Sequence, residues 1–340
     1  MKKVNARKEL LSLLRGFFAT PIITALSKDG IIENILRKKK ISLSDFKKTN
    51  YNIMFLESIF NYLSSLGLLR KIKKNYSLTH LGSKVFKRRG SFHLLHSYRS
   101  FINNTDLLLK KKYVAKCDRV ENVIGSGLTN GKKFFPSAIN QIKKNKLDLI
   151  IDIACGNGEF IRNCSSVFPD IDYLAIDLSS KALNETKSMM IKMKKKLKIK
   201  YFKCDGLNVK NWGKFVKNNY GTKKKILISM WYLVHEISKK EKINIVKFLN
   251  NIYKLFPNSE IIIGEILNTD PKVLYTGKDI SIMPEFLFFH EISGQGVLSK
   301  KDYEFIEKKI KFRTVNKIYF DYIDKSRLHP SAFVWHLKGN

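Results

Sequence analysis

The stretch "LIIDIACGNGEF" (149–160) constrains the fold of this chain more than any other. An apolar run carrying Asp152 is followed by Gly156 and Gly158, which let the backbone turn tightly before a helix begins. Comparable runs follow at intervals of twenty to thirty residues: "YLAIDLS", "KYFKCD", "KILISMWYLV" and "EIIIGEIL", then "TVNKIYFDY" and "SAFVWHLK". Short apolar strands alternating with helices predict a mostly parallel sheet covered on both faces. The last two runs have no helix between them and predict an antiparallel hairpin at the sheet edge.

The region before this pattern reads differently. Residues 9–66 have apolar positions recurring at three and four, predicting helices in "ELLSLLRGFFATPIITAL", "GIIENILRK", "SLSDFKKT" and "IMFLESIFNYLSSLGLL", with starts at Ser44 and Asp45 for the third. The segment "LLRKIKKNYSLTHLG" then gives two short extended stretches around a polar turn, so that helices and hairpin together outline a winged helix. Residues 92–146 read as helical again, broken around "IGSGLTNG". Three parts are therefore expected: a winged-helix domain over 1–90, a helical linker and pocket lid over 91–146, and an α/β domain over 147–340. A chain of 340 residues that is 44% hydrophobic can bury the cores this requires.

Charge narrows the function less than its size suggests. The formal net charge is +35, which raises nucleic acid or an anionic membrane as partners. The excess is mostly Lys in the company of Ile, Asn, Phe and Tyr, the bias of AT-rich codons. The four cysteines, Cys117, Cys155, Cys164 and Cys204, form neither a C-x-x-C pair nor a disulfide framework, and a reducing cytoplasm is expected. Arg15 and Gly16 interrupt the N-terminal apolar run, so neither a signal peptide nor a membrane span is expected.

The acids that follow the glycine turn indicate a nucleoside. Asp177 ends the next strand about twenty residues beyond the glycines, where a carboxylate can take both ribose hydroxyls. Asp205, in "KCDGL", is placed to accept from an adenine amino group. The turn lacks the third glycine of a dinucleotide fingerprint. The pattern D-x-A-C-G-x-G with these acids resembles the S-adenosylmethionine site of class I methyltransferases. With the N-terminal region, the wing and "YLVHEISKKEKINIVKFLNNIYKLFPNSEIIIGEIL", the chain is similar over most of its length to the small-molecule O-methyltransferase family.

That resemblance implies a Rossmann-like α/β domain with a seven-stranded sheet and an α-rich winged-helix domain that pairs two subunits. It places Asp152, Gly156 and Gly158 along the methionine end of S-adenosylmethionine, with Asp177 on the ribose and Asp205 and Gly206 facing the adenine. Trp231, where phenol-methylating relatives commonly have a lysine, joins the cofactor-binding set. It makes His235 the general base and Glu265 the acid that orients it, while Val297 stands where those relatives carry a further acid.

The sequence "HEIS" occurs at His235–Ser238 and again at His290–Ser293. A zinc-protease motif is excluded, because the positions of its second histidine hold Lys239 and Gly294. The second histidine and Arg119 are similar in position to residues of 2-oxo acid C-methyltransferases. That subgroup implies a divalent metal, iron or zinc, held by His235 and His290, a 2-oxo acid methylated on carbon, and Arg119 on its carboxylate. The alternative is metal-free O-methylation of a hydroxylated small molecule by His235 alone. A nucleic-acid methyltransferase would need a [D/N]-P-P-[Y/F] or Pro-Cys reagent that the sequence lacks. A non-catalytic winged-helix regulator would have no use for His235 and Glu265 at strand ends.

Overall fold

The computed structural model describes residues 6–110, 117–131, 134–193, 197–221, 224–238, 241–269, 273, 283–322 and 329–339. The chain divides into two compact units, Met1–Thr129 and Asn130–Asn340.

The first unit begins with α1 (Ala6–Lys28) and α2 (Ile31–Lys38), followed by β1 (Lys40–Ser42), a 3-10 turn (Leu43–Phe46) and α3 (Ile53–Ser65). Then come β2 (Leu69–Ile72) and β3 (Asn75–Leu78), which join β1 in an antiparallel sheet of order β1-β3-β2. This is the winged helix expected from the sequence. Ile23, Ile32, Ile35, Phe60 and Tyr76 are buried together as its core. One start differs from expectation: Ser42, not Ser44, caps the 3-10 turn, and Asp45 returns a bond to the Ser42 amide to complete a capping box. α1 is long and apolar enough, by length and composition, to cross a membrane, and Arg15 and Gly16 do not break it. In this fold Ala19, Ile23, Thr24 and Leu26 of α1 are buried in the unit.

Short helices α4 (His80–Phe86), α5 (Arg89–His96), α6 (Arg99–Asn103) and α7 (Thr105–Leu109) lead to α8 (Arg119–Asn130). One buried carboxylate ties α1, α5, α6 and α8 together. Glu121 of α8 accepts from Lys28 at 3.0 Å, His96 at 2.8 Å and Arg99 at 2.7 Å, with His93 at 3.3 Å. A buried charge is tolerable only when partnered in this way.

The second unit runs α9 (Phe134–Ile142), β4 (Leu149–Ile153), α10 (Glu159–Cys164), β5 (Asp172–Asp177), α11 (Ser180–Lys192), β6 (Lys198–Lys203), α12 (Val209–Tyr220), β7 (Ile226–Trp231), α13 (Val234–Ser238), α14 (Lys242–Leu255) and β8 (Glu260–Ile266). It closes with α15 (Met283–Ile292), α16 (Lys300–Glu307), β9 (Arg313–Tyr322) and β10 (Pro330–Lys338). The seven strands lie in the order β6-β5-β4-β7-β8-β10-β9. The first five are parallel, and β10 pairs antiparallel with both β8 and β9.

Strand residues alternate between two apolar layers, as the period of two requires. Ile151, Ile228 and Ile263 face Trp212 of α12 and Ile245 and Leu249 of α14. Ile150, Leu227 and Ile262 face Phe135 of α9, Phe160 of α10 and Met190 of α11. Full burial on both faces explains why these strands read as unbroken apolar runs. The fold is a Rossmann-like α/β domain with a seven-stranded sheet, preceded by a winged helix.

Candidate active site

The chain leaves β4 for β5 on one side and returns to β7 on the other, so the strand order reverses between β4 and β7. In open α/β sheets a ligand sits outside the carboxyl ends of the strands at such a point. Asp152, Asp177, Trp231 and Glu265 all lie at or next to that end of their strands.

The turn after β4 is built by backbone conformation and by two side chains from later elements. Gly156 and Gly158 have φ of 56° and 77°, and Ala154 between strand and turn shares the left-handed region at 56°. Asp177 Oδ2 accepts from the Gly156 amide at 3.0 Å, while its Oδ1 accepts from the Ser179 amide at 2.8 Å. Thr186 Oγ donates to the Gly156 carbonyl at 2.9 Å. A Cβ on Gly158 would meet Thr186 Cγ2 at 2.4 Å, so glycine is needed there for space as well as for φ. Thr186 was invisible to sequence reasoning because no motif marks a helix residue some thirty positions downstream.

Asp152 is buried and accepts from Ser229 Oγ on β7 at 2.6 Å. Burial pushes its carboxyl up to about 7, opposed by the Ser229 bond and reinforced by the nearby charge of Asp177. Asp205 stays exposed, with Oδ1 accepting from the Leu207 amide at 2.9 Å. Gly206 packs so tightly that a Cβ would lie 2.4 Å from Ile153 Cγ2, and its carbonyl accepts from Trp212 Nε1 at 3.0 Å. Half-exposed and exposed carboxylates at neighbouring strand ends, beside a turn of amides and a buried acid, are a donor set that fits a nucleoside with a cationic tail.

Trp231 ends β7 between Phe135 and Phe160, at ring-centroid distances of 4.6 and 4.9 Å. Its Nε1 is buried without a hydrogen-bond partner among the described residues. Gly264 on β8 makes room for it, since a Cβ there would come within 2.2 Å of the indole. A glycine inside an apolar strand signals such a close approach, and this one was overlooked.

Beyond Trp231 the chain turns through Tyr232, at φ 53°, into α13. His235 and Glu265 are both buried. Glu265 grips His235 twice, accepting from Nδ1 at 2.9 Å and from the backbone amide at 3.1 Å. A carboxylate can only accept when ionised, so it fixes the tautomer with the proton on Nδ1 and leaves Nε2 as the basic nitrogen. The His235 carbonyl accepts from the Gly296 amide at 3.1 Å.

His290 of α15 stands edge-on to His235, with ring centroids 4.9 Å apart and planes at 80°. Its Nδ1 donates to the Phe286 carbonyl at 2.7 Å, and the Phe286 ring stacks on it at 3.8 Å. The two "HEIS" histidines thus meet, as the sequence suggested, but the metal assignment is corrected. Among the described residues no group of three or more His, Cys, Asp and Glu side chains is arranged to hold an ion. Glu265, the carboxylate beside the pair, is committed to His235 Nδ1. Arg119 lies in the first unit, exposed at the start of α8.

Residues 6–71 match the AprA N-terminal domain family. A comparison with curated proteins found no match. Solved structures share the whole architecture. An O-methyltransferase family protein from Burkholderia thailandensis matches with a TM-score of 0.62 at 10% identity, covering 99% of each chain. Human N-acetylserotonin methyltransferase, solved with S-adenosylmethionine, matches with a TM-score of 0.55 at 14% identity, covering 100% of this chain and 99% of its own. The N,N-8-amino-8-demethyl-D-riboflavin dimethyltransferase of Streptomyces davawensis matches with a TM-score of 0.56 at 11% identity, over 99% of this chain and 100% of its own. At these identities the likeness concerns the fold.

Proposed function

We propose that the protein is an S-adenosylmethionine-dependent methyltransferase that methylates a hydroxyl oxygen of a small molecule, with His235 as general base. The observation that carries this reading is the His235–Glu265 pair at the ends of β7 and β8, beside the glycine turn of β4. S-adenosylmethionine supplies, when bound, an electrophilic methyl on a sulfonium. The residues to hold it are Asp152, Gly156, Gly158 and Trp231 at the methionine end, Asp177 at the ribose, and Asp205 and Gly206 at the adenine. His235 Nε2 would take the proton of the acceptor's hydroxyl and so make its oxygen the nucleophile for that methyl. Glu265 keeps the imidazole turned and stabilises the cation that forms.

Residues 1–90 are assigned to self-association and 147–340 to transfer. The first unit supports a homodimer by an apolar surface it does not cover itself: Leu10, Leu13, Leu14, Phe17 and Phe18 of α1 and Met54 and Phe55 of α3 are all exposed. Patches of this kind mark contact surfaces.

The test is transfer of labelled methyl from S-adenosylmethionine to a panel of hydroxylated aromatics. His235→Ala should lower the rate by about 10²–10⁴-fold, the usual contribution of a positioned base. Cofactor binding, followed by calorimetry, should persist. A variant as fast as the wild type would remove His235 from the chemistry, and a salt-sensitive complex with random duplex would favour a nucleic-acid substrate.

A further inference from the structure

The buried carboxylate of Glu121 belongs to a wider network in the first unit that the proposed chemistry does not use. Arg99 also pairs with Asp118 at 2.7 Å. On the other side the buried ring of His93 lies between Glu121 Oε1, 3.3 Å from Nδ1, and Ser27 Oγ, 3.0 Å from Nε2. Glu33 Oε1 is 3.5 Å beyond Ser27 Oγ and accepts from Arg89 Nε. The ions of α1, α2, α5, α6 and α8 balance: Lys28, Arg89 and Arg99 against Glu33, Asp118 and Glu121. Burial opposes the Glu121 carboxylate, yet the bonds from His96 and Lys28 hold it below the ordinary carboxylate range. Ionised Glu121 can only accept, so neutral His93 carries its proton on Nδ1 and takes the Ser27 hydroxyl on Nε2.

Two kinds of contact hold α8 to α5. At Gly90 and Gly125 the backbones touch: a Cβ on Gly90 would lie 2.8 Å from the Gly125 carbonyl oxygen, and one on Gly125 would lie 2.7 Å from the Leu94 amide. One turn earlier in α8 the contact is ionic. Asp118 caps the helix by accepting from the Glu121 amide at 3.1 Å, and its own amide donates to the Ser97 carbonyl at 2.8 Å. Of the other titratable groups there, Arg119 is exposed, and burial pushes the Cys117 thiol up, so it stays neutral. The charges are therefore matched while His93 is uncharged, and a proton on its ring adds a buried cation without a carboxylate of its own.

We propose that the Glu121 network is an acid-sensitive clasp: a proton on His93 unbalances it and frees the first turns of α8 and the last turn of α1, while the Gly90–Gly125 contact holds as a pivot. Opening brings His93 into water, where an imidazole titrates near 6.5. In the closed clasp burial holds it lower, reinforced by Lys28 and opposed by Glu121 and Glu33. The closed form thus binds fewer protons, so it is fully favoured above about pH 6.5 and loses ground as pH falls below that value. Glu121, held low, acts in the same direction at more acid pH. The first compact unit gives way to the second at the end of α8, so acid loosens the helix that carries the connection.

Hydrogen–deuterium exchange of the full chain at pH 7.5 and pH 5.5, corrected for the intrinsic pH dependence of amide exchange, tests the clasp. Opening constants in the first turns of α8 and the last turn of α1 should rise by up to about tenfold at pH 5.5, the span of one imidazole that titrates only in the open form. Those of β4, β7 and β8 should not rise. His93→Gln can still hydrogen-bond but takes no proton, and should give the same protection at both pH values. Lys28→Gln, at a side chain 40% exposed, removes a cation that competes with the proton; it should shrink the ratio, and it tests the clasp even where thermal melts show His93→Gln unfolded. A wild type whose α8 is equally protected at both pH values, a rise shared by the sheet, or a rise that persists in full in a folded variant overturns the proposal.

Discussion

At the scale of single residues, Asp152 gives the clearest dependence on solution conditions. Its carboxyl titrates near 7 in the folded protein and near 4 in an unfolded chain. Between those values the folded state binds the extra proton, so the contribution of this group to stability is greatest below about pH 4 and falls as pH rises towards 7. Asp152→Asn should flatten this fall, which amounts to a few kcal/mol at most, in denaturant titrations at pH 5 and pH 8. A cationic ligand beside Asp152 would favour its ionised form, so S-adenosylmethionine binding at pH 6 should release a proton. Calorimetry in two buffers of different ionisation enthalpy detects that proton, and its persistence in Asp152→Asn would assign it elsewhere. The sequence identified Asp152 and Asp177 as candidates because strand ends are legible from apolar runs, and His235 and Glu265 through the family resemblance. It did not show Ser229 or Thr186, whose roles exist only after distant elements have packed. It offered His235 and His290 as metal ligands because spacing carries no information about whether a third donor joins the pair, and among the described residues none does.

At the scale of elements, β7 and β8 determine where the histidine goes. Gly264 admits the indole of Trp231 between these strands, and its carbonyl accepts from the Tyr232 amide at 2.9 Å. The turn that delivers His235 is thus pinned one residue beyond the ring. Gly264→Ala should displace Trp231 and cost about 1–3 kcal/mol, as overpacking a filled core does. Near-UV circular dichroism should report the altered indole, and denaturant titration the lost stability; an unchanged spectrum and midpoint would mean that the layer yields more easily than its contacts indicate. Strands β4, β5, β7, β8 and β10 were legible because each is buried on both faces. Helix starts were less so: the sequence pointed to Ser44 and Asp45, and the folded backbone makes Ser42 the cap.

At the scale of the whole molecule, the uncovered side of α1 implies a partner. Leu13 is 74% exposed and Met54 82%, and a second copy of the unit offers the same apolar chemistry in return. A dimer held there should bury more than about 2,000 Å². Sedimentation equilibrium at micromolar concentration should give twice the chain mass, and Leu13→Asp combined with Phe17→Asp should halve it. A monomeric wild type would leave the patch to another ligand. The change in periodicity near residue 147 marks the first strand of the large sheet, whereas the second compact unit already begins at Asn130, and only the folded helix shows which apolar residues of α1 stay exposed.

The strand order also sets a timetable for synthesis. β10, the last strand to be made, lies between β8 and β9 and not at the edge. All the elements around the candidate active site precede it, so the ribosome delivers them while one border of β8 is still a row of unpaired amides and carbonyls. Such a border recruits other chains, and pairings between segments distant in sequence form slowly. The protein is most exposed to aggregation in the interval before residues 330–338 emerge, when its chemistry is already encoded but the sheet that supports it has not closed.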